Sequence, residues 1–275
     1  MADDLYSRFD EYEQWIEKAA LSAYTKRNYL RSIREFLNYL KKSGIGFASI
    51  NNDAILQYRN HLKHELTLAP SSVNNILAAI DHFFRFLNIA MPRTEREVRV
   101  KRAPKVFSTD EIEKFLKVVR CQSARDQAIV YLFLYAALWV GQCAAMNLED
   151  VVLTAGGVMV MIGQRKRVTK REMHLDDVTA KAIADWIAKR REFFPDIRNH
   201  ALFLNQTGGR LTTGGINFLV KSLGWKVGLE ISPQKLRNTC LQSWVLNGHD
   251  LSCIAARAGH KCLDTTLRYT CANNT

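Results

Sequence analysis

The run from Gln127 to Asn147, QAIVYLFLYAALWVGQCAAMN, holds no charged side chain. So long an apolar stretch must be buried, either in lipid or in a protein core. Its length approaches what a membrane-spanning helix needs. Gly141, Gln142 and Cys143 interrupt it, however, and no second run of this kind occurs in the sequence. The better reading is a pair of buried core helices with a turn between them, and no membrane partner. A chain of 275 residues, 47% of them hydrophobic, can supply such a core in one large domain or two modest ones.

Residues 1–90 read as all helix and as a first domain. In YTKRNYLRSIREFLNYLKKSG, Tyr29, Ile33, Phe36, Leu37 and Leu40 recur at helical period. Lys41 and Lys42 suit the negative end of that helix, and Gly44 suits its stop. A third helix is expected through Ile55, Tyr58, Leu62 and Leu66. A fourth is expected after Pro70, capped by Ser71 or Ser72 and running through Val73, Ile76, Leu77, Ile80, Phe83, Phe84 and Leu87.

The pattern then breaks. Residues 91–106 carry Arg93, Arg96, Arg99, Lys101, Arg102 and Lys105, two prolines and little apolar periodicity, which predicts an extended basic linker. Residues 107–275 form the second domain. It opens on a capping box, Ser108 with Glu111, and a hydrophobic staple between Phe107 and Ile112. GGVMVMIGQRKRVTKREMHL predicts two strands joined by a hairpin whose tip bears Arg165, Lys166, Arg167, Lys170 and Arg171. An amphipathic helix follows through Val178, Ile183, Trp186 and Ile187, ending before Pro195. ALFLN predicts a short strand, and a further helix starts near Thr212 or Thr213. The fold class expected is mainly α with a small sheet.

The net charge of +12 raises the expectation of a polyanionic partner. The six cysteines show no C-x-x-C pair, and the acidic N-terminus lacks the order of a secretion signal, so intracellular free thiols and a cytoplasmic location are expected. His249, Cys253, His260 and Cys262 match no common zinc spacing, and no metal is expected.

The most specific signal lies near the C-terminus, in ISPQKLRNTCLQSWVLNGHDLSCIAARAGHKCLDTTLRYT. Ser232, Pro233, Leu236, Arg237 and Thr239, then Gly259 and His260, then Thr265, Thr266 and Tyr269 resemble the signature S-P-H-x-L-R-H-T … L-G-H … T-T-x-x-Y of the tyrosine recombinases, the phage-integrase family. AALWVGQCAAMNLEDV, from Ala136 to Val151, is similar to that family's T-G-L-R-I-S-E-L-L-x-L-x-W-x-D-I. The basic hairpin and the N-terminal helices fit the family as well. The resemblance implies a helical core-binding, SAM-like domain and a mixed α/β catalytic domain with a small antiparallel sheet, clamped around double-stranded DNA. A second copy or a partner recombinase on the DNA is a further implied possibility.

It also implies a chemistry. A tyrosine hydroxyl, here Tyr269, attacks a DNA phosphodiester, a 3′-phosphotyrosine forms and a 5′ hydroxyl leaves. The bond energy is conserved, so neither ATP nor any other cofactor is required. Two arginines meet the charge on the phosphate oxygens, because a guanidinium fork fits them. A lysine or histidine protonates the leaving oxygen. By resemblance Arg237, His260 and Tyr269 are retained, with Lys166 as the hairpin lysine and Lys170 as the alternative. Arg99, Lys101, Arg102, Arg165, Arg167 and Lys170 are the expected backbone-tracking cations.

Four family positions are substituted. The first arginine falls at Trp139, the H-x-x-R histidine at Gln234, the acidic residue of R-x-x-E at Gln142, and the histidine after the second arginine at Asn238. An indole cannot clamp a phosphate, and an amide cannot carry a proton. One lost oxyanion donor costs about 10²–10³ in rate, and lost acid–base help about 10²–10⁴ more. Two readings stay open here: a recombinase with impaired catalysis, or an inactive accessory DNA-binding factor.

Overall fold

The computed structural model describes residues 2–46, 49–92, 95–98, 103–154, 157–163, 170–195 and 198–270. Its contacts divide the chain into two compact units, Met1–Lys101 and Arg102–Thr275.

The first unit is helical: α1 (Ala2–Lys18), α2 (Ala23–Lys42), α3 (Asn52–Asn60) and α4 (Pro70–Phe86). Ser22 and Asn51 cap α2 and α3 through their side chains. The stripe expected on α2 is buried at Ile33, Phe36, Leu37 and Leu40 and meets Tyr58, Val73, Leu77 and Phe83 in one core. Two expectations fail. The third helix passes into a π-helical turn, His61–Glu65, which carries Leu66 out of the stripe and leaves it exposed. The cap of α4 is Ala69, with Pro70 as first helical residue. Proline has no N–H to satisfy there and its φ is already helical, so no serine cap is required.

The described part of the basic segment is held rather than free. The Asn74 amide donates to the Glu97 carbonyl at 2.8 Å, and its oxygen accepts from the Glu97 N–H at 2.8 Å. The Glu97 carboxylate pairs with Arg59 at 3.1 Å and with Lys63 at 3.3 Å. Residues 95–98 carry no helix or strand but are tied to the helical unit, because Glu97, one of two acids in the segment, finds two cations on α3 and the π-helical turn.

The second unit begins with α5 (Thr109–Arg120), closed by the Ser108–Glu111 capping box. α6 (Ala124–Leu134) and α7 (Val140–Ala145) are the two halves of the uncharged run. Its core side chains from Ala128 to Leu134 are buried, and among the described residues no helix is long and apolar enough to cross a membrane. The break between the halves differs from expectation. It falls at Ala137, whose φ of +49° lies in the left-handed region, while Gly141 sits inside α7. Ala137 itself is fully buried against Cys240, Leu241 and Tyr269, which fixes the turn by packing.

β1 (Val151–Thr154), β2 (Gly157–Gly163) and β3 (Lys170–His174) form an antiparallel sheet in that order. Val158, Val160 and Ile162 face the core. Arg171 pairs with Ile162 and Met173 with Val160, so both project on that same inner face. α8 (Asp177–Phe193) turns Ile183 and Trp186 inward, but Val178 stays 53% exposed, because it lies in the first turn, on the side away from the core. Residues 201–204 make only isolated bridges, Asn147 with Ala201 and Leu204 with Arg210, in place of the expected strand. Their apolar side chains are buried among loops and helices, and that burial is what the apolar run encoded. α9 (Thr213–Trp225) is capped by Thr212. α10 (Pro233–Leu246), α11 (Leu251–Ala258) and α12 (Leu263–Leu267) complete the unit and carry the site.

Candidate active site on helices α10 to α12

Ser232 caps α10 by accepting from the Lys235 N–H, and Pro233 takes the first helical position. Gln234, Arg237 and Asn238 then fall at i, i+3 and i+4 on one face. Arg237 is the largest fully buried side chain, 1% exposed. One Nη2 hydrogen goes to the Ala258 carbonyl at 2.8 Å and another approaches His260 Nε2 at 3.2 Å. Its Nε and Nη1 have no hydrogen-bond partner. Burial first, then the nearby Arg171 charge, pull its pKa down to about 10, while the Tyr269 phenol acts in the opposite direction.

His260 is placed by the end of α11. Gly259 takes a left-handed φ of +69°, and the His260 N–H returns to the Ala255 carbonyl at 2.9 Å, a Schellman closure. A guanidinium can only donate, so His260 Nε2 accepts from Arg237 and Nδ1–H donates to Thr266 Oγ1 at 2.9 Å. The imidazole is thus neutral. Burial, with Arg237 and Arg171 beside it, drives its pKa down to about 4.

Tyr269 follows α12 and is buried in the small cluster with Ala137, Cys240, Leu241, Trp244, Ile254 and Ala258. Its ring lies parallel to that of His260, centroids 6.4 Å apart. Its hydroxyl donates to Asn238 Oδ1 at 2.9 Å, which also accepts from Gln234 Nε2 at 2.7 Å. Asn238 Nδ2 is spent on the Lys105 carbonyl at 3.1 Å. The amide fixes the phenol but cannot take its proton. Burial raises the phenol's pKa, against the lowering effect of Arg237 and Arg268.

Trp139 precedes α7 and is 42% exposed. Its indole covers the Arg237 guanidinium, Cζ lying 4.2 Å from the ring centroid, a cation–π contact. The Trp139 backbone N–H donates to Gln142 Oε1 at 2.9 Å, and Gln142 Nε2 donates to the Gly163 carbonyl at 3.2 Å, tying α7 to β2.

The structure therefore gathers Arg237, His260, Tyr269, Trp139 and Gln234 in one place. Lys170 is elsewhere: its ammonium pairs with the buried Asp150 carboxylate. Arg99, Lys101, Arg102, Arg165, Lys166 and Arg167 lie outside the described residues. Arg171, read from sequence as part of the hairpin tip, is instead on β3 with its guanidinium over Gly259, 3.8 Å from where a Cβ would stand. Strand alternation with Met173 was the signal that could have found it. Asn238 was noted only as a substitution, and its grip on the tyrosine is visible only in the fold.

Residues 105–275 match the Phage integrase family, and residues 9–89 match the phage integrase N-terminal SAM-like domain. The chain is 28% identical to tyrosine recombinase XerC of Bacillus subtilis, over 95% of this chain and 90% of the relative. It is 26% identical to tyrosine recombinase XerA of Thermococcus kodakarensis, over 95% and 89%. Among solved structures, the XerH site-specific recombinase bound to its difH substrate, in a pre-cleavage complex, superposes with a TM-score of 0.76 at 18% identity, covering 96% of this chain and 81% of that one. That likeness establishes the fold: an N-terminal SAM-like helical unit and a mostly helical catalytic-type unit with a three-stranded antiparallel sheet. The C-terminal constellation and these matches together place the chain in the phage integrase family.

Proposed function

We propose that this protein binds duplex DNA and forms a 3′-phosphotyrosine through Tyr269, with cleavage slowed strongly by Trp139 and Gln234. The observation that carries the reading is the convergence of Arg237, His260 and Tyr269 in one buried cluster. Tyr269 Oη bonds to phosphorus, the bond to the 5′ oxygen breaks, and the phenolic proton passes to solvent. Arg237 Nε and Nη1 meet a non-bridging phosphate oxygen. Lys166 is assigned the proton for the leaving oxygen. Rejoining is the reverse reaction with a different 5′ hydroxyl.

The DNA partner is supported by the net charge of +12 and by the likeness to the Tn1549 transposon integrase, solved in complex with transposon right end DNA. Arg99, Lys101, Arg102, Arg165 and Arg167 are assigned to the sugar–phosphate backbone, which supplies most of the affinity. Assembly on DNA as a second copy is proposed by analogy with the lambda integrase dimer bound to a core site. A second reading, an accessory DNA-binding factor with no cleavage, is favoured by the indole over Arg237.

Nicked suicide duplexes drawn from a random-sequence pool decide between the two. A covalent adduct that disappears in Tyr269→Phe supports cleavage. Duplex binding with no adduct supports the accessory factor.

A further inference from the structure

Among the described residues of the second unit, two guanidiniums carry buried N–H groups without acceptors. Arg237 leaves Nε and Nη1 unpaired, and Arg171 leaves Nε and Nη2 unpaired. Both are anchored to the same structure, the C-terminal end of α11. Arg171 Nη1 donates to the Ala256 carbonyl at 3.0 Å, and Arg237 Nη2 donates to the Ala258 carbonyl at 2.8 Å. Between these carbonyls and His260 stands Gly259, and the Arg171 guanidinium lies 3.8–3.9 Å from where its Cβ would stand, an ordinary contact distance. The two cations are coupled: Arg171 depresses the pKa of both Arg237 and His260. A buried polar hydrogen without a partner is costly, and two like charges brought together add to that cost. The helix C-terminus offsets part of it. No carboxylate forms an ion pair with either guanidinium among the described residues.

We propose that Arg171 and Arg237 form one pocket for a tetrahedral oxyanion, and that Arg171 supplies the second phosphate-binding guanidinium that position 139 does not. Trp139 then has a different part. Its indole closes one face of Arg237, so an anion meets the edge N–H groups of both side chains. The identity of the anion as a DNA phosphodiester rests on the proposed function; the existence of the pocket does not.

The test is a titration of the intact protein with inorganic phosphate, followed through the His260 ring signals by NMR. The wild-type signals should move with phosphate as the neighbouring charge is neutralised. Arg171→Gln and Arg237→Gln should each weaken phosphate binding about tenfold or more, the scale of one charged hydrogen-bonding partner. Arg171→Lys, which keeps the charge and loses the fork, should weaken it severalfold. Wild-type His260 signals unmoved by phosphate would overturn the pocket, as would Arg171→Gln binding like wild type. If Arg171→Gln does not fold, Arg171→Lys binding as tightly as wild type overturns it instead. A protein that binds phosphate through Arg171 yet forms no adduct with DNA refutes the cleavage reading and leaves the pocket standing. One that forms adduct at the wild-type rate as Arg171→Gln does the reverse.

Discussion

The Trp139 indole covers Arg237, its ring centroid 4.2 Å from the guanidinium carbon. The contact covers one face of the cation while Nε and Nη1 stay without hydrogen-bond partners, and the resemblance to the family aligns its first arginine with this position.

The pair Trp139→Arg and Gln234→His should therefore accelerate adduct formation on a nicked duplex by at least about 10², the scale of one restored oxyanion donor. Single-turnover rates check this. An unchanged rate would mean that the phosphate does not lie against these two positions.

Asn238 joins Tyr269, Gln234 and the Lys105 carbonyl in one hydrogen-bonded group. Asn238→Ala should cost about 1–3 kcal/mol by leaving the buried phenol and that carbonyl without partners. Urea unfolding monitored by circular dichroism measures it. Asn238→Asp, which keeps an acceptor for the phenol, should lose less.

The His260 pKa is held at about 4, below the ordinary histidine value near 6.5. Between these values the unfolded chain binds the proton and the folded one does not. Stability should therefore be complete above about pH 6.5 and fall as the pH drops toward 4. His82, also lowered, by burial and then by Arg85, works in the same direction. His260→Gln should flatten the slope measured between pH 7 and pH 5. An equal slope in the variant would refute the assignment.

Gly259 closes α11 with a left-handed backbone and has open contact distances around its absent Cβ. Gly259→Ala should thus cost about 1 kcal/mol through its backbone alone. Thermal melts read that loss. The added methyl would meet Arg171 only at ordinary contact distance, so phosphate binding in the same variant should stay as in the wild type.

Much of this could be read from residue order. The Ser108 capping box, the α2 stripe and the burial of residues 128–134 all follow from local pattern, because propensity and packing agree there. The motif from Ser232 to Tyr269 singled out Arg237, His260 and Tyr269, and α10 to α12 bring these three side chains together. What stayed hidden depends on contacts distant in sequence. Ala137 accepts a strained turn because Cys240, Leu241 and Tyr269 pack around it, whereas pattern alone favoured Gly141. Residues 201–204 look like a strand because they are apolar, yet they pair only at isolated bridges. Glu97 is pinned by residues more than thirty positions earlier. Arg171 resembled one more surface cation until the sheet register turned it inward.

That register has a cost for the hairpin's evolution. Insertions or deletions between Gly163 and Lys170 are harmless to Arg171 only while Ile162 remains its cross-strand neighbour. A slip of one position along β3 would swing the guanidinium out to water and bring Lys170 or Glu172 in beside Gly259. The parity of β3 is what the inward guanidinium fixes.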